Sequence, residues 1–218
     1  MAGSTVGDDA AEVARLIDVM ATLRTECPWD AQQTHRSLVQ YLIEETFEVV
    51  EAIEGDGATA DHDHLREELG DLLLQVIFHT KIAHESDPAF TVAAVARGIA
   101  DKLISRHPYV FATDAVPEDL DGSWEERKAA EKGRRSVLEG IPEQLSSIAR
   151  ANKIISRARS RSVRAELDDE PIDEQSVGDQ FIRLVSRAQA SGIDPDQAAR
   201  DAVRRLERQI TDAETNPD

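Results

Sequence analysis

Two short acidic runs carry the residue types and spacing for metal chemistry: Glu44-Glu45-Thr46-Phe47-Glu48 and, after nineteen further residues, Glu68-Leu69-Gly70-Asp71. On an α-helix, residues three or four apart share a face, so Glu45 projects with Glu48, and Glu68 with Asp71. If the two helices pack antiparallel, the pairs converge and four carboxylates surround one point. Such a set of oxygen donors suits a hard divalent cation, and Mg²⁺ keeps some of its waters for phosphate oxygens to replace. A lone glutamate ordinarily does no more than solvate the surface. The flanks argue for more. Leu42, Val49 and Ile53 are expected to mark a buried stripe with Glu45 at its border, and Leu65, Leu69, Leu72 and Val76 a buried stripe beside Glu68. Carboxylates at a core boundary are costly without a partner, and a metal ion is an economical one.

Other side chains could serve the same chemistry. Lys102 and Arg106 lie one helical turn apart, a spacing that suits the phosphate tail of a nucleotide as well as it suits a solvated helix face. Trp29 and Trp124 could each stack on a base or act as a buried anchor. The run Asp61-His62-Asp63-His64 has the composition of a metal site but reads as a solvated helix start. His79 continues the face of Glu68, Asp71 and Gln75 and could support the metal ligands from behind.

Helices must position these groups. Aromatic residues make up 4% of the 218 and alternating β-branched runs are absent, so the fold is expected to be all-α. Apolar spacing predicts helices at about 10–25, 34–54, 62–84 and 91–107. Cys27-Pro28-Trp29-Asp30, Gly55-Asp56-Gly57, Asp87-Pro88 and His107-Pro108 separate them. A looser stretch, 109–122, precedes a charged helix at about 123–135. Further helices are expected at about 143–161 and 172–191, the latter continuing over 195–213. Val163 to Asp173, rich in charge and holding Pro171, reads as a flexible connector. The net charge of −18 excludes a protein that wraps a nucleic-acid polymer, although a metal ion can still bridge carboxylates to a nucleotide. The single cysteine, Cys27, forms no internal bridge, the amino terminus is acidic and polar, and no apolar run is long enough for a membrane span; a soluble cytoplasmic protein is expected.

The pattern Glu-Glu-x-x-Glu, nineteen residues, Glu-x-x-Asp resembles the signature of the MazG nucleotide pyrophosphohydrolases, in the all-α NTP pyrophosphatase superfamily. Cys27-Pro28-Trp29-Asp30-Ala31-Gln32-Gln33-Thr34-His35, Glu67 to Leu73, Arg106-His107-Pro108-Tyr109-Val110-Phe111 and Trp124-Glu125-Glu126-Arg127-Lys128 also look like this family. The resemblance implies an antiparallel four-helix bundle-like unit, commonly a homodimer. It implies Mg²⁺, with Mn²⁺ as a substitute, held by Glu45, Glu48, Glu68 and Asp71. It implies phosphate contacts from Lys102 and Arg106, and closure over substrate by Trp124 and Lys128. The family reaction cleaves a nucleoside triphosphate between the α and β phosphorus atoms to a monophosphate and pyrophosphate, in some members as house-cleaning of non-canonical or oxidised nucleotides. Glu44 and Glu48 are the candidates for the base that takes the proton from water.

A catalytic unit over 10–135 is therefore expected, then a linking helix over 136–162, the connector 163–173 and, over 174–213, a truncated second copy of the same unit. In that copy Ser176-Val177-Gly178-Asp179 aligns with Glu68-Leu69-Gly70-Asp71, and Arg205 and Gln209 align with Lys102 and Arg106. Its first acidic pair is missing, so one active site per chain is expected. A di-iron carboxylate bundle would need Glu-x-x-His pairs, which the sequence does not contain. A catalytically silent nucleotide-binding module with the same fold is the alternative that the complete acidic set argues against.

Overall fold

The computed structural model describes residues 6–55, 62–113, 115–163 and 165–215, and every regular element among them is a helix. In chain order these are α1 (Val6–Glu26), α2 (Pro28–Gln32), α3 (Val39–Glu54), α4 (His62–Ser86), α5 (Val92–Arg106), α6 (Pro108–Phe111), α7 (Leu120–Glu131), α8 (Ser147–Ser160), α9 (Glu174–Ala190) and α10 (Pro195–Thr215). The expected breakers act where their chemistry places them. Pro28 and Pro108 each open a short helix, where the missing N–H would have no partner anyway. Gly55 caps the end of α3; the rest of that breaker, with Asp61, lies outside the described residues. Side-chain caps start three later helices: Asp119 accepts from the Gly122 N–H, Ser146 from Ala149 and Asp173 from Ser176.

The chain divides into two compact units, Met1–Leu103 and Ile104–Asp218. In the first, α4 packs against α3 and α1, and α2 against α1. Its core is Met20, Leu38, Ile77 and Phe78, flanked by Leu16, Ile17, Tyr41 and Leu74. In the second, α8 packs on α7 and α10, and α10 on α9. Val137, Ile141, Ile154, Ala158, Val203 and Ile210 form that core, with Val163, Ala165 and Leu167 packed against it.

The expected buried stripes need correction. Ile53 is 61% exposed, Leu69 48% and Val76 43%. The buried positions of α4 are Gln75, Ile77, Phe78 and Thr80. Both helices carry apolar side chains on more than one face, so apolar spacing alone picks out a face that the unit itself does not cover. Two runs remain open to solvent: Ile43, Phe47 and Val50 on α3, and Leu69, Leu73 and Val76 on α4.

Candidate functional site

The packing of α3 against α4 brings the two acidic runs together. Glu45, Glu48 and Glu68 each offer a carboxylate oxygen, and the three oxygens lie within 4.8 Å of one another. Glu45 is half-buried and Glu48 exposed, while the Glu68 side chain is 12% exposed. Asp71, half-buried on the same helix as Glu68, is close enough for its charge to act on Glu45. The effect of this crowding is visible in Glu45, whose pKa is pushed up from 4.5 to about 7. Burial is the largest cause, followed by a hydrogen bond with Glu48 and repulsion from Asp71, Glu48 and Glu68. Like charges this close cannot all ionise at no cost, and two remedies exist: a proton or a cation. The donors are all carboxylate oxygens, which fits a hard divalent ion and not a soft one. Glu44, one residue before Glu45, is exposed.

The expected phosphate-contacting and substrate-closing residues have distinct surroundings. Lys102 is half-buried near the end of α5, with no ion pair among the described residues. Arg106 is buried and engaged: its Nε and Nη2 donate to Glu131 Oε2 at 3.0 and 2.7 Å, and its guanidinium lies over the Trp124 ring, 5.0 Å from the centroid. Trp124 also meets the His107 ring at 5.0 Å. Trp29 is 50% exposed and edge-on to Tyr41 at 5.9 Å and Phe78 at 6.5 Å. One edge of Trp29 thus anchors on the core and the rest of the ring is free to stack. Lys128 Nζ donates to Glu125 Oε1 at 3.0 Å.

Several contacts were not expected from the sequence. His64, assigned to a solvated helix start, has Nε2 3.1 Å from Glu68 Oε1; the four-residue spacing was the available signal. His35 and His79 place their Nδ1 atoms 2.8 Å apart with rings stacked at 5.1 Å. One of these nitrogens must donate and the other accept. Burial, then the neighbouring His35, holds the His79 pKa below its ordinary value. His79 therefore pairs with another imidazole. No sequence signal links two histidines 44 residues apart.

A family model described as the MazG nucleotide pyrophosphohydrolase domain matches residues 33–111. Relatives extend the similarity over most of the chain. An uncharacterised 26.1 kDa protein of Streptomyces cacaoi is 41% identical over 87% of this chain and 78% of its own length. The nucleoside triphosphate pyrophosphohydrolase/pyrophosphatase MazG of Thermotoga maritima is 35% identical over 88% of this chain and 81% of its own. The nucleoside triphosphate pyrophosphohydrolase of Mycobacterium tuberculosis is 41% identical over 78% of this chain; the match spans about half of that relative, 52%.

Proposed function

Because the chain belongs to the MazG nucleotide pyrophosphohydrolase family, we propose that it hydrolyses nucleoside triphosphates to nucleoside monophosphates and pyrophosphate. The observation that carries this reading is the convergence of Glu45, Glu48 and Glu68, with Asp71 beside them. In this reading the four carboxylates hold Mg²⁺, which Mn²⁺ can replace. When bound, such an ion supplies charge neutralisation for phosphate oxygens and polarises water for attack.

The chain's own residues perform the rest. Glu44 or Glu48 takes the proton as water attacks the α-phosphorus and the bond to the β-phosphate oxygen breaks. Glu44 suits this role because its carboxylate is exposed and outside the three-oxygen group. Lys102 and Arg106 stabilise the charge that grows on the departing pyrophosphate. The base rests on Trp29, and Trp124 with Lys128 closes over the substrate. The substrates include non-canonical or oxidised nucleotides that the cell must clear. Two copies associate through the open apolar runs of α3 and α4, whose 40–67% exposure at Ile43, Phe47 and Val50 is a reason for a partner surface. Among the described residues no helix is long and apolar enough to cross a membrane.

The test is pyrophosphate release from a panel of canonical and damaged triphosphates with Mg²⁺, carried out in ¹⁸O-labelled water. The label is expected in the monophosphate. Label in pyrophosphate would mean attack at the β-phosphorus, and orthophosphate as product would mean another reaction.

A further inference from the structure

In the unit Ile104–Asp218, one carboxylate faces four cations. Glu125 Oε1 accepts from Lys128 Nζ at 3.0 Å and from Lys153 Nζ at 3.3 Å. On the other oxygen, Arg157 Nε stands 3.6 Å away and Arg134 Nη1 3.9 Å. Among the described residues none of the four has another ion-pair partner. The two arginine side chains are 5% and 6% exposed. Arg157 is tied to the fold by Nη1, which donates to the carbonyls of Val137 and Glu139 at 3.0 and 2.9 Å, yet its buried Nε has no hydrogen-bond partner.

The cluster is three positive charges in excess, in a chain whose net charge is −18. Excess charge held out of water is costly unless a counter-charge arrives, as it is for the acidic cluster in the opposite sense. The strain shows in the same groups. Burial lowers the Lys128 pKa, with Lys153 and Arg157 adding repulsion, and burial followed by Arg134 lowers that of Arg157. The open side belongs to the lysines, since Lys153 is 39% exposed and Lys128 20%. Each ammonium has three donors and spends one on Glu125. Both hang on the same oxygen, which sets them side by side.

We propose that Lys128 and Lys153 form a two-ammonium seat for a phosphate-class oxyanion, spaced by Glu125 and backed by Arg134 and Arg157. Lys153 lies on α8, outside residues 33–111 that the family model matches. Glu125 is a positioning residue: it fixes both lysines and leaves the cluster positive. The proposal rests on the pyrophosphohydrolase reading only for which anion arrives, either free pyrophosphate or the phosphate tail of a nucleotide.

The experiment is calorimetric titration of the full chain, kept metal-free with chelator, with pyrophosphate in one arm and an α,β-methylene nucleoside triphosphate in the other. Saturable binding is expected in at least one arm. Lys153→Met should weaken it by roughly tenfold, the scale of one charge-assisted hydrogen bond. Glu125→Gln should tighten it, because the competing charge is gone; a cluster that served only to hold the fold would show no such gain. Should Glu125→Gln fail to fold, Lys153→Met, at a partly exposed position, still decides. Binding in the pyrophosphate arm assigns the seat to the free anion, and binding in the analogue arm alone assigns it to the nucleotide tail. No binding in either arm, or Lys153→Met binding like the wild type, overturns the proposal. Turnover is read separately: triphosphate hydrolysis with an unchanged Lys153→Met isotherm removes the seat and keeps the enzyme, and the converse result removes the enzyme and keeps the seat.

Discussion

The acidic cluster on α3 and α4 and the basic cluster around Glu125 are mirror images in charge. In the first, burial together with the crowding of the carboxylates drives Glu45 up to about 7. In the second, burial pushes the Glu125 carboxyl up, but Lys128 and Lys153 outweigh it and hold it below its ordinary value. A structural ion pair matches one charge with one, and neither cluster does. The imbalance is what supports the two proposals, a cation for the first cluster and an oxyanion for the second.

The acidic side of this comparison should give the largest effects. Converting Glu45, Glu48, Glu68 or Asp71 singly to its amide keeps shape but removes a charge from the proposed Mg²⁺ site, and kcat/KM should fall by about a hundredfold or more with the helical circular-dichroism signal intact. Amides at all four positions that keep wild-type kcat/KM would break the comparison. Next in size are the cations on α5. Lys102→Ala and Arg106→Ala should each cost about 1.5–3 kcal/mol in kcat/KM, with metal affinity little changed. They should differ in stability: only Arg106→Ala should lower Tm, because Arg106 is buried against Glu131 and Trp124.

A smaller effect lies in pH. The folded protein holds the Glu45 proton more tightly than the unfolded chain, so the stability this contributes is fully present below pH 4.5 and is lost as pH rises to about 7. Metal-free Tm should decline across that window, and Glu45→Gln should flatten the decline. A wild-type Tm that rises through the window in the absence of metal would contradict the raised Glu45 pKa. The smallest effect is expected at Asp179, the one carboxylate that the proposed truncated second copy aligns with the proposed metal-binding set. It is exposed on α9, and Asp179→Asn should leave kcat/KM within experimental scatter; a large loss with the fold intact would give the second copy a part in catalysis.

The sequence made local features legible and left distant ones hidden. The acidic pairs could be placed because residues three apart share a helical face, and the helix ends because Pro28, Gly55 and Pro108 act on their immediate neighbours. It could not show that Leu69 and Val76 stay exposed, since burial depends on which neighbouring helix covers which face. Nor could it show that Arg106 is bound by Glu131, 25 residues on, or that Lys153 and Arg157 reach Glu125, which they do through the packing of α8 on α7. The Trp124 to Lys128 run was visible as a motif, but the charge surplus around Glu125 was not.

The most direct measurement is Mn²⁺ binding to the full chain, followed by electron paramagnetic resonance, for the wild type and Glu68→Gln. Three converging carboxylates with Asp71 beside them predict saturable binding by the wild type that Mg²⁺ competes away and that Glu68→Gln largely abolishes. A wild type that binds no Mn²⁺, or a Glu68→Gln variant that binds it equally well, would contradict a metal centre between α3 and α4.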